Sequence, residues 1–169
     1  MPRYDILHVV PLTDDQYDDF QRAVTTIHTE SFGVPSLFVN VAFTNITSQV
    51  QFIAGKKRQG NHLIAHVRLG NRTKEQLQKL ATDIIAAWDR TVVEPHASEG
   101  KAETRRRKLH SVFILASDVV GTEAGLPVPI AGKEAEFLKS HYVEIKRRAD
   151  EGDDLMVDTI EEIKQRGML

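Results

Sequence analysis

Pro2, which directly follows Met1, is the first residue whose type and position could serve chemistry. Removal of Met1, which a small second residue favours, would leave Pro2 with a free secondary amine at the start of the chain. An amino terminus titrates near ~8, so an apolar pocket or a neighbouring charge could make this amine a proton acceptor or a proton donor. The alternative is a structural proline, because proline is also tolerated at the first residue of a strand.

Arg68 and Arg72 flank the sequence Gly70-Asn71, where a strand-like run passes into a helix-like one. The free N–H groups and the positive dipole end of a helix favour anions. A guanidinium can also bind a carboxylate through two parallel hydrogen bonds. The pair predicts a carboxylate site, and the alternative is that both arginines are solvated or paired with nearby acids.

His28 lies near the end of the first predicted helix, and Glu123 lies in a glycine-rich loop after the last predicted strand. A histidine in a last helical turn can simply complement the helix dipole. Loops often carry functional groups, but most exposed glutamates have no such role. His62 and His66 are four residues apart in a predicted strand with no third ligand at a suitable spacing, so we predict no metal site.

The composition is that of an ordinary globular chain. Its 169 residues, 41% of them hydrophobic, suffice for one buried core, so we predict a single domain over residues 1–169. The absence of cysteine excludes disulfides and thiolate chemistry. A net charge of −2 gives no general attraction to nucleic acid. No apolar run approaches the ~20 residues that cross a bilayer, and the first residues do not form the apolar core of a signal peptide. We therefore expect a cytoplasmic protein with no nucleic-acid or membrane partner.

Two similar segments over residues 2–116 follow one another along the chain. The first predicts a strand over 4–10, a helix from a capping box at 13–16, a buried strand over 37–43 and a short strand over 49–54. The second predicts a strand over 62–69, a helix from a capping box at 73–76, a polar loop over 94–108 and a strand over 109–116. Two β-α-β units of this kind predict an α/β fold, a four-stranded and mainly parallel-paired sheet with helices on one face.

Residues 117–169 form a predicted extension of loop and helix. A turn-rich stretch over 121–129 precedes predicted helices over 133–149 and 154–164. This extension could pack on the uncovered face of the sheet or on a neighbouring subunit. We expect the second, because an exposed apolar sheet face favours oligomerisation.

Taken in order, these features resemble the tautomerase superfamily. They are Pro2 before the first strand, His28 in AVTTIH, the strand LFVNVAF, the two arginines at the turn, and Glu-x-Gly at Glu123. Within the superfamily the chain is most similar to the cis-3-chloroacrylic acid dehalogenase group and to its fungal relatives that are named oxalocrotonate tautomerases. The resemblance covers about residues 2–125.

The resemblance implies a cofactor-independent enzyme, usually a homotrimer, that acts on a small carboxylic acid. Pro2 would be the catalytic amine, His28 an auxiliary polar group, and Glu123 the carboxylate that activates water. Arg68 and Arg72 would bind the carboxylate of the substrate. Their spacing is one residue wider than that of the dehalogenase arginines, which leaves open whether both reach the site.

Two reactions follow from the protonation state of Pro2. An apolar wall that includes Phe38 and Phe113 would keep the amine neutral, and the amine would then tautomerise a 2-oxo acid by moving a proton between carbons. With Glu123 close by, the amine would be cationic and donate a proton while Glu123 directs water, which is hydration, or dehalogenation of a 3-substituted acrylic acid. Phe113 stands where the dehalogenase has a water-orienting tyrosine and lacks that hydroxyl, so the tautomerase is the preferred hypothesis.

A non-catalytic binding module or scaffold trimer is the alternative from another class. The basic clusters at 56–58 and 105–108 could contact RNA on an open sheet. However, no aromatic residues alternate with basic ones along the strands, and the second cluster lies close to Glu99 and Glu103. A solvated surface is therefore the preferred interpretation of the cluster at 105–108.

Overall fold

The computed structural model describes residues 2–118 and 120–169, and a four-stranded sheet lies at its centre. In chain order the strands and α-helices are β1 (Arg3–His8), α1 (Asp14–Phe32), β2 (Asn40–Asn45), β3 (Phe52–Ile53), β4 (Lys56–Lys57), β5 (Asn61–Arg68), α2 (Lys74–Trp88), α3 (Lys101–Arg107), β6 (Leu109–Ser117), β7 (Thr122–Glu123), β8 (Leu126–Pro127), α4 (Glu134–Asp150) and α5 (Asp154–Arg166). Short 3-10 helices cover Ser36–Phe38 and Glu94–Glu99. Within the described ranges, no helix has the length and apolar character needed to span a bilayer.

The strand order in the sheet is β2-β1-β5-β6. β1 is parallel to β2 and β5 is parallel to β6, whereas β1 and β5 are antiparallel. A parallel pair needs a crossover connection, which α1 supplies in the first unit and α2 in the second. The predicted fold class, two fused β-α-β units that form a mainly parallel-paired sheet, is confirmed.

Both crossover helices begin at a threonine cap, as the sequence predicted. The side chains of Thr13 and Thr73 each accept a hydrogen bond from the backbone N–H three residues on, and a glutamine there accepts one from the cap N–H. α1 and α2 contribute to one apolar cluster with the sheet, in which the rings of Phe20 and Trp88 meet edge to face, 5.0 Å apart. Helices and sheet together bury the face of β1 that carries Tyr4.

The polar segment over 94–108 is helical, so the loop predicted there is wrong. The 3-10 helix Glu94–Glu99 leads into α3. Within α3, Glu103 forms ion pairs with Arg106 and Arg107, three and four residues further on. Such pairs stabilise a helix that has no apolar stripe. The missing apolar periodicity is the reason why the pattern indicated a loop.

The strand predicted over 37–43 begins later than expected. Leu37 and Phe38 belong to a 3-10 helix, and β2 begins at Asn40. Both residues are buried because they pack in a second apolar cluster with Phe137 and Leu138 of α4, away from the strand pairs of the sheet. The run of apolar residues therefore reflects two different packing partners along one segment.

The C-terminal tail, residues 128–169, packs on its own chain. α4 and α5 share the second apolar cluster with Leu37, Phe38 and Leu126. The sheet face opposite α1 and α2 stays uncovered, with Phe113 57% exposed and Leu115 46% exposed. The less favoured alternative, in which the tail packs on that face, is therefore not found within the chain. The apolar side that we expected to bind a neighbouring subunit is buried within the chain.

Candidate active site

The residue at the start of β1 lies inside the protein. Pro2 is buried, and its carbonyl accepts a hydrogen bond from the N–H of Asn40, with an N···O distance of 3.0 Å. The side chain of Asn40 donates a further hydrogen bond to Oε1 of Glu123, over 3.2 Å. Asn40 therefore joins Glu123 to the residue that would carry the free amine.

Glu123 lies in a two-stranded hairpin formed by β7 and β8. The turn Ala124-Gly125 has positive φ at both residues, 48° and 78°, a combination typical of the tight turns that hairpins favour. Arg148 of α4 donates to the carbonyl of Ala124 over 2.6 Å and forms an ion pair with Asp153. The C-terminal tail thus holds the hairpin that positions Glu123.

The carboxyl group of Glu123 has one oxygen engaged and one free. Oε1 accepts from Asn40, whereas Oε2 is buried and has no hydrogen-bond partner in the described part of the chain. Burial raises the pKa of Glu123 above its ordinary value, and the hydrogen bond from Asn40 and the positive charge at the start of the chain oppose this effect. Such a carboxyl group can exchange protons with a neighbouring amine or water.

His28 and Tyr4 form a buried pair next to this end of β1. Tyr4 follows Pro2 by two residues, and alternate residues of a strand lie on the same face. The Tyr4 hydroxyl oxygen lies 2.5 Å from Nδ1 of His28, and both side chains have 0% exposure. Nε2 of His28 is also buried and has no partner among residues 2–118 and 120–169.

Burial sets the protonation of this pair. It lowers the pKa of His28 to about 3, with smaller lowering effects from Arg72, Arg68 and the charge at the start of the chain. Burial also raises the pKa of Tyr4 above its ordinary value, against an opposing effect of Arg72. At pH 7 the imidazole is neutral and the phenol keeps its proton. When the phenol donates to Nδ1, the imidazole carries its proton on Nε2, which is then a free donor.

The neutral state of His28 predicts a loss of stability in acid. The folded pKa of about 3 lies below the unfolded value of ~6.5, so the unfolded chain binds more protons between these two values. The free energy of unfolding should therefore fall by about 1.4 kcal/mol per pH unit within that window, or roughly 3 kcal/mol between pH 6.5 and pH 4, and the contribution of this group is fully retained above the window. Urea unfolding between pH 4 and pH 7.5 measures this slope. His28→Gln should flatten the slope, whereas the matched variant of an exposed histidine, His110→Gln, should keep it. An unchanged slope in His28→Gln contradicts the assignment.

Arg72 is a buried cation beside the Tyr4–His28 pair. Its residue is 9% exposed, and its Cζ lies 3.9 Å from the centre of the Phe32 ring, which is 4.8 Å from the His28 ring. Nη1 donates to the carbonyl of Arg68 over 2.6 Å. No carboxylate of the described residues pairs with Arg72. Because a desolvated charge without a counterion is costly, this arrangement favours the binding of an anion.

Arg68 already has partners within the chain. Its side chain is 3% exposed, and Nη2 lies 2.7 Å from Oε1 of Glu134, whose side chain is 5% exposed. Nη1 donates to the carbonyl of Pro129. The Cζ atom lies 5.9 Å from the centre of the Phe38 ring. The two hydrogen-bonding partners of the guanidinium come from the tail, in the segment that leads into α4 and at its first residue.

The two phenylalanines expected to form an apolar wall lie in different places. Phe38 is buried between the guanidinium of Arg68 and the ring of Phe137, whose centre is 5.5 Å away. Phe113 is paired in register with Ile64 and points to the open face of the sheet, away from the helices. Within one chain, Phe38 therefore contacts the arginine side of the cluster and Phe113 does not.

Three residues of this cluster were not predicted from the sequence: Tyr4, Asn40 and Glu134. The spacing of Tyr4 from Pro2 was a usable signal, because alternate residues share a strand face. Asn40 became visible only through the pairing of β1 with β2. Glu134 lies 66 residues beyond its partner Arg68, and no local pattern marks it.

Metal binding finds no support in residues 2–118 and 120–169, where no group of three His, Cys, Asp or Glu side chains could hold an ion. Nδ1 of His62 lies 2.8 Å from the hydroxyl of Ser111, and its ring is 5.4 Å from that of His110. His66 is exposed on the same strand. These histidines are separate from the cluster around Pro2.

Residues 1–144 match a family model described as "Putative oxalocrotonate tautomerase enzyme". The match spans most of the chain, and the chain belongs to this family of the tautomerase superfamily. Among curated proteins no sequence is similar enough to count as a match.

Several solved structures share the fold. One is N1, a member of the cis-3-chloroacrylic acid dehalogenase family, with a TM-score of 0.59 and 21% identity over 82% of this chain and 91% of that one. Another is Pt0534 inactivated by 2-oxo-3-pentynoate, with a TM-score of 0.53 and 16% identity over 74% of this chain and 94% of that one. A fused 4-OT wild-type asymmetric trimer has a TM-score of 0.52 and 11% identity over 77% of this chain and 96% of that one. At these identities the similarity shows a common fold.

Proposed function

We propose that this protein is a cofactor-independent tautomerase that uses Pro2, after removal of Met1, as general base and acid on a small 2-oxo or unsaturated carboxylic acid. The buried cation Arg72, with no carboxylate paired to it in the described residues, is the observation that carries the proposal. It lies beside the neutral Tyr4–His28 pair at the N-terminal end of β1, the strand that follows Pro2. Family membership and the inactivation of Pt0534 by a 2-oxo acid support the same substrate class.

In this mechanism Arg72 binds the carboxylate of the substrate. With a 2-oxo acid the neutral Pro2 amine removes a proton from the carbon next to the 2-oxo group, the electron pair moves onto the carbonyl oxygen, and the proton returns at a conjugated carbon. With an enol the amine removes the 2-hydroxyl proton, the carbonyl forms, and the proton is delivered to carbon. The charge of Arg72 and the free Nε2–H of His28 stabilise the enolate oxygen as negative charge develops. Tyr4 keeps His28 in the tautomer that donates from Nε2. The ring of Phe32 excludes water from one side of the Arg72 guanidinium, and Phe38 covers the neighbouring Arg68.

A hydratase or dehalogenase is the second candidate, and the free Oε2 of Glu123 favours it. Asn40 holds the other oxygen, so Glu123 could direct a water molecule onto an unsaturated acid while a cationic Pro2 donates the proton. Phe113 supplies no hydroxyl to orient that water. We therefore rank this reaction below tautomerisation.

We also propose a homotrimer in the cytoplasm. Phe113 and Leu115 leave an apolar surface open on the sheet, and burying such a surface favours association. The fused 4-OT neighbour is itself an asymmetric trimer. In this assembly Phe113 would contact a neighbouring subunit. A scaffold trimer without activity would share this assembly and lack turnover.

A titration of the Pro2 amine, together with a turnover assay, tests the proposed function. Protein with 15N-labelled proline is titrated by NMR, and turnover of phenylenolpyruvate and 2-hydroxymuconate is measured on the same preparation. An amine pKa well below ~7 supports the tautomerase, and one above ~8 supports the hydratase. Absence of turnover of both compounds, with the amine free and the protein folded, would favour the scaffold.

A further inference from the structure

Glu134 contacts the guanidinium of Arg68 through one carboxylate oxygen on Nη2, a position that the carboxylate of a substrate could otherwise take, while Nε of Arg68 is buried without a partner in the described residues. The two side chains are almost fully buried and approach to 2.7 Å. Pro129, from the same tail segment, accepts a hydrogen bond from the other terminal nitrogen of Arg68. Both terminal nitrogens of the guanidinium are thus bound by the chain itself. A buried ion pair with this geometry is costly to open, because opening it leaves a charge without a partner.

The tail segment that carries these contacts lies tightly against the turn after β5. Gly70 has a φ of 50°, and a Cβ added there would lie 2.5 Å from the Cβ of Ala131. Glu134 therefore contacts Arg68 as part of a packed interface, in which the close approach of Ala131 to Gly70 and the hydrogen bond to the Pro129 carbonyl hold the segment that carries Glu134. Arg68 is a structural residue in this arrangement.

The charges around the two arginines can be counted directly. Arg68 and Glu134 cancel, His28 is neutral, and Arg72 keeps one positive charge without a paired carboxylate in the described residues. Burial and the charge of Arg68 lower the pKa of Arg72, and the charge of Glu134 opposes them in part, so Glu134 acts on Arg72 as well. A second carboxylate directed at Arg68 would meet Glu134 in a desolvated place, where like charges repel strongly.

We propose that Glu134 determines specificity: it neutralises Arg68, leaves Arg72 to bind the substrate, and makes the site selective for acids with a single carboxylate. This inference rests on the proposed function for the location of the site. It narrows the substrate class to monocarboxylic 2-oxo or unsaturated acids.

Isothermal titration calorimetry with phenylacetate and 4-carboxyphenylacetate tests the inference. The two ligands share one scaffold and differ by one carboxylate, and neither carries the conjugated carbonyl that the proposed reaction needs. The wild-type protein should bind phenylacetate at least ~10-fold more tightly. Glu134→Gln should shift the ratio of the two affinities by ~10-fold or more toward 4-carboxyphenylacetate. The matched control Glu136→Gln, an exposed residue in the same helical turn that pairs with Lys133, should leave the ratio unchanged.

A double variant separates neutralisation from direct binding. Arg68→Met/Glu134→Met removes the whole ion pair, which proteins often tolerate when apolar residues of similar size replace it. It should bind phenylacetate within ~3-fold of wild type, whereas Arg72→Met should lose at least ~30-fold. A loss of phenylacetate binding by a folded double variant would mean that Arg68 contacts the ligand, and the inference would be wrong.

These outcomes do not depend on catalysis. Binding that depends on Arg72 and prefers the monocarboxylate supports the inference even when the protein turns over neither compound, in which case only the proposed reaction fails. Equal affinity of the wild-type protein for both ligands, or binding that Arg72→Met does not weaken, overturns the inference even when turnover is observed.

Discussion

A chain that retains one residue ahead of Pro2 should lose ~10²–10⁴-fold in kcat/KM for phenylenolpyruvate, because the prolyl nitrogen is then an amide and cannot accept a proton. The rest of the site would be unchanged, since the buried Tyr4–His28 pair and the Asn40–Glu123 hydrogen bond do not involve that nitrogen. Steady-state kinetics on the mature and the extended chain measure the effect. Intact mass establishes which start each preparation has.

Pro2→Ala adds a graded comparison with the extended chain. It keeps an amine at the start of the chain but loses the ring that fixes rotation about the N–Cα bond, so the direction of the nitrogen lone pair is no longer set. Its kcat/KM should fall between those of the mature and extended chains, and its affinity for phenylacetate should stay close to that of wild type. Full activity of the extended chain would show that the nitrogen takes no part in the reaction.

Arg72→Met should have opposite effects on activity and on stability. The variant loses the charge that binds the carboxylate, and truncating one partner of a buried charged contact typically costs 2–5 kcal/mol, so kcat/KM should fall by ~10²–10³-fold. The same change removes a buried cation with no carboxylate paired to it in the described residues, so the free energy of unfolding of the empty protein should rise by about 1 kcal/mol. Kinetics and urea unfolding measure the two quantities.

Arg22→Met is the matched control for Arg72→Met. Arg22 is on α1, its side chain is 68% exposed, and its ion pair with Asp19 lies on the surface. Both its kcat/KM and its stability should stay near wild type, because exposed pairs contribute little. A destabilised Arg72→Met protein with normal kinetics would assign Arg72 a purely structural role.

The sequence predicted the sheet and its crossover helices because their signals are local. The capping boxes at Thr13 and Thr73 lie within one helical turn each, and the buried strands carry runs of apolar residues. α3 escaped prediction because Glu103 and its arginines stabilise it through ion pairs, which leave no apolar period. Leu37 and Phe38 were placed in a strand because an apolar run does not reveal that its first residues pack on α4.

Residues of the candidate site could be predicted from the sequence where the residue type itself indicates a chemical role. Pro2, His28 and Arg72 were named from type and position, and their roles remain proposals. The state of Arg68 was not predictable, because its partner Glu134 lies 66 residues further along and carries no local signal. The position of Phe113 on the open face of the sheet was not predictable either, because it depends on strand pairing and on which face the helices cover.

The Arg68–Glu134 ion pair can form only late in the synthesis of the chain. Synthesis proceeds from the N-terminus, so all four strands of the central sheet, which end at Ser117, leave the ribosome before Glu134 does. Until Glu134 has been translated, Arg68 at the C-terminal end of β5 has no paired carboxylate, and Arg72 has none among the described residues even afterwards. The charge of Arg68 in the candidate site is therefore neutralised last, by a residue in the final third of the polypeptide.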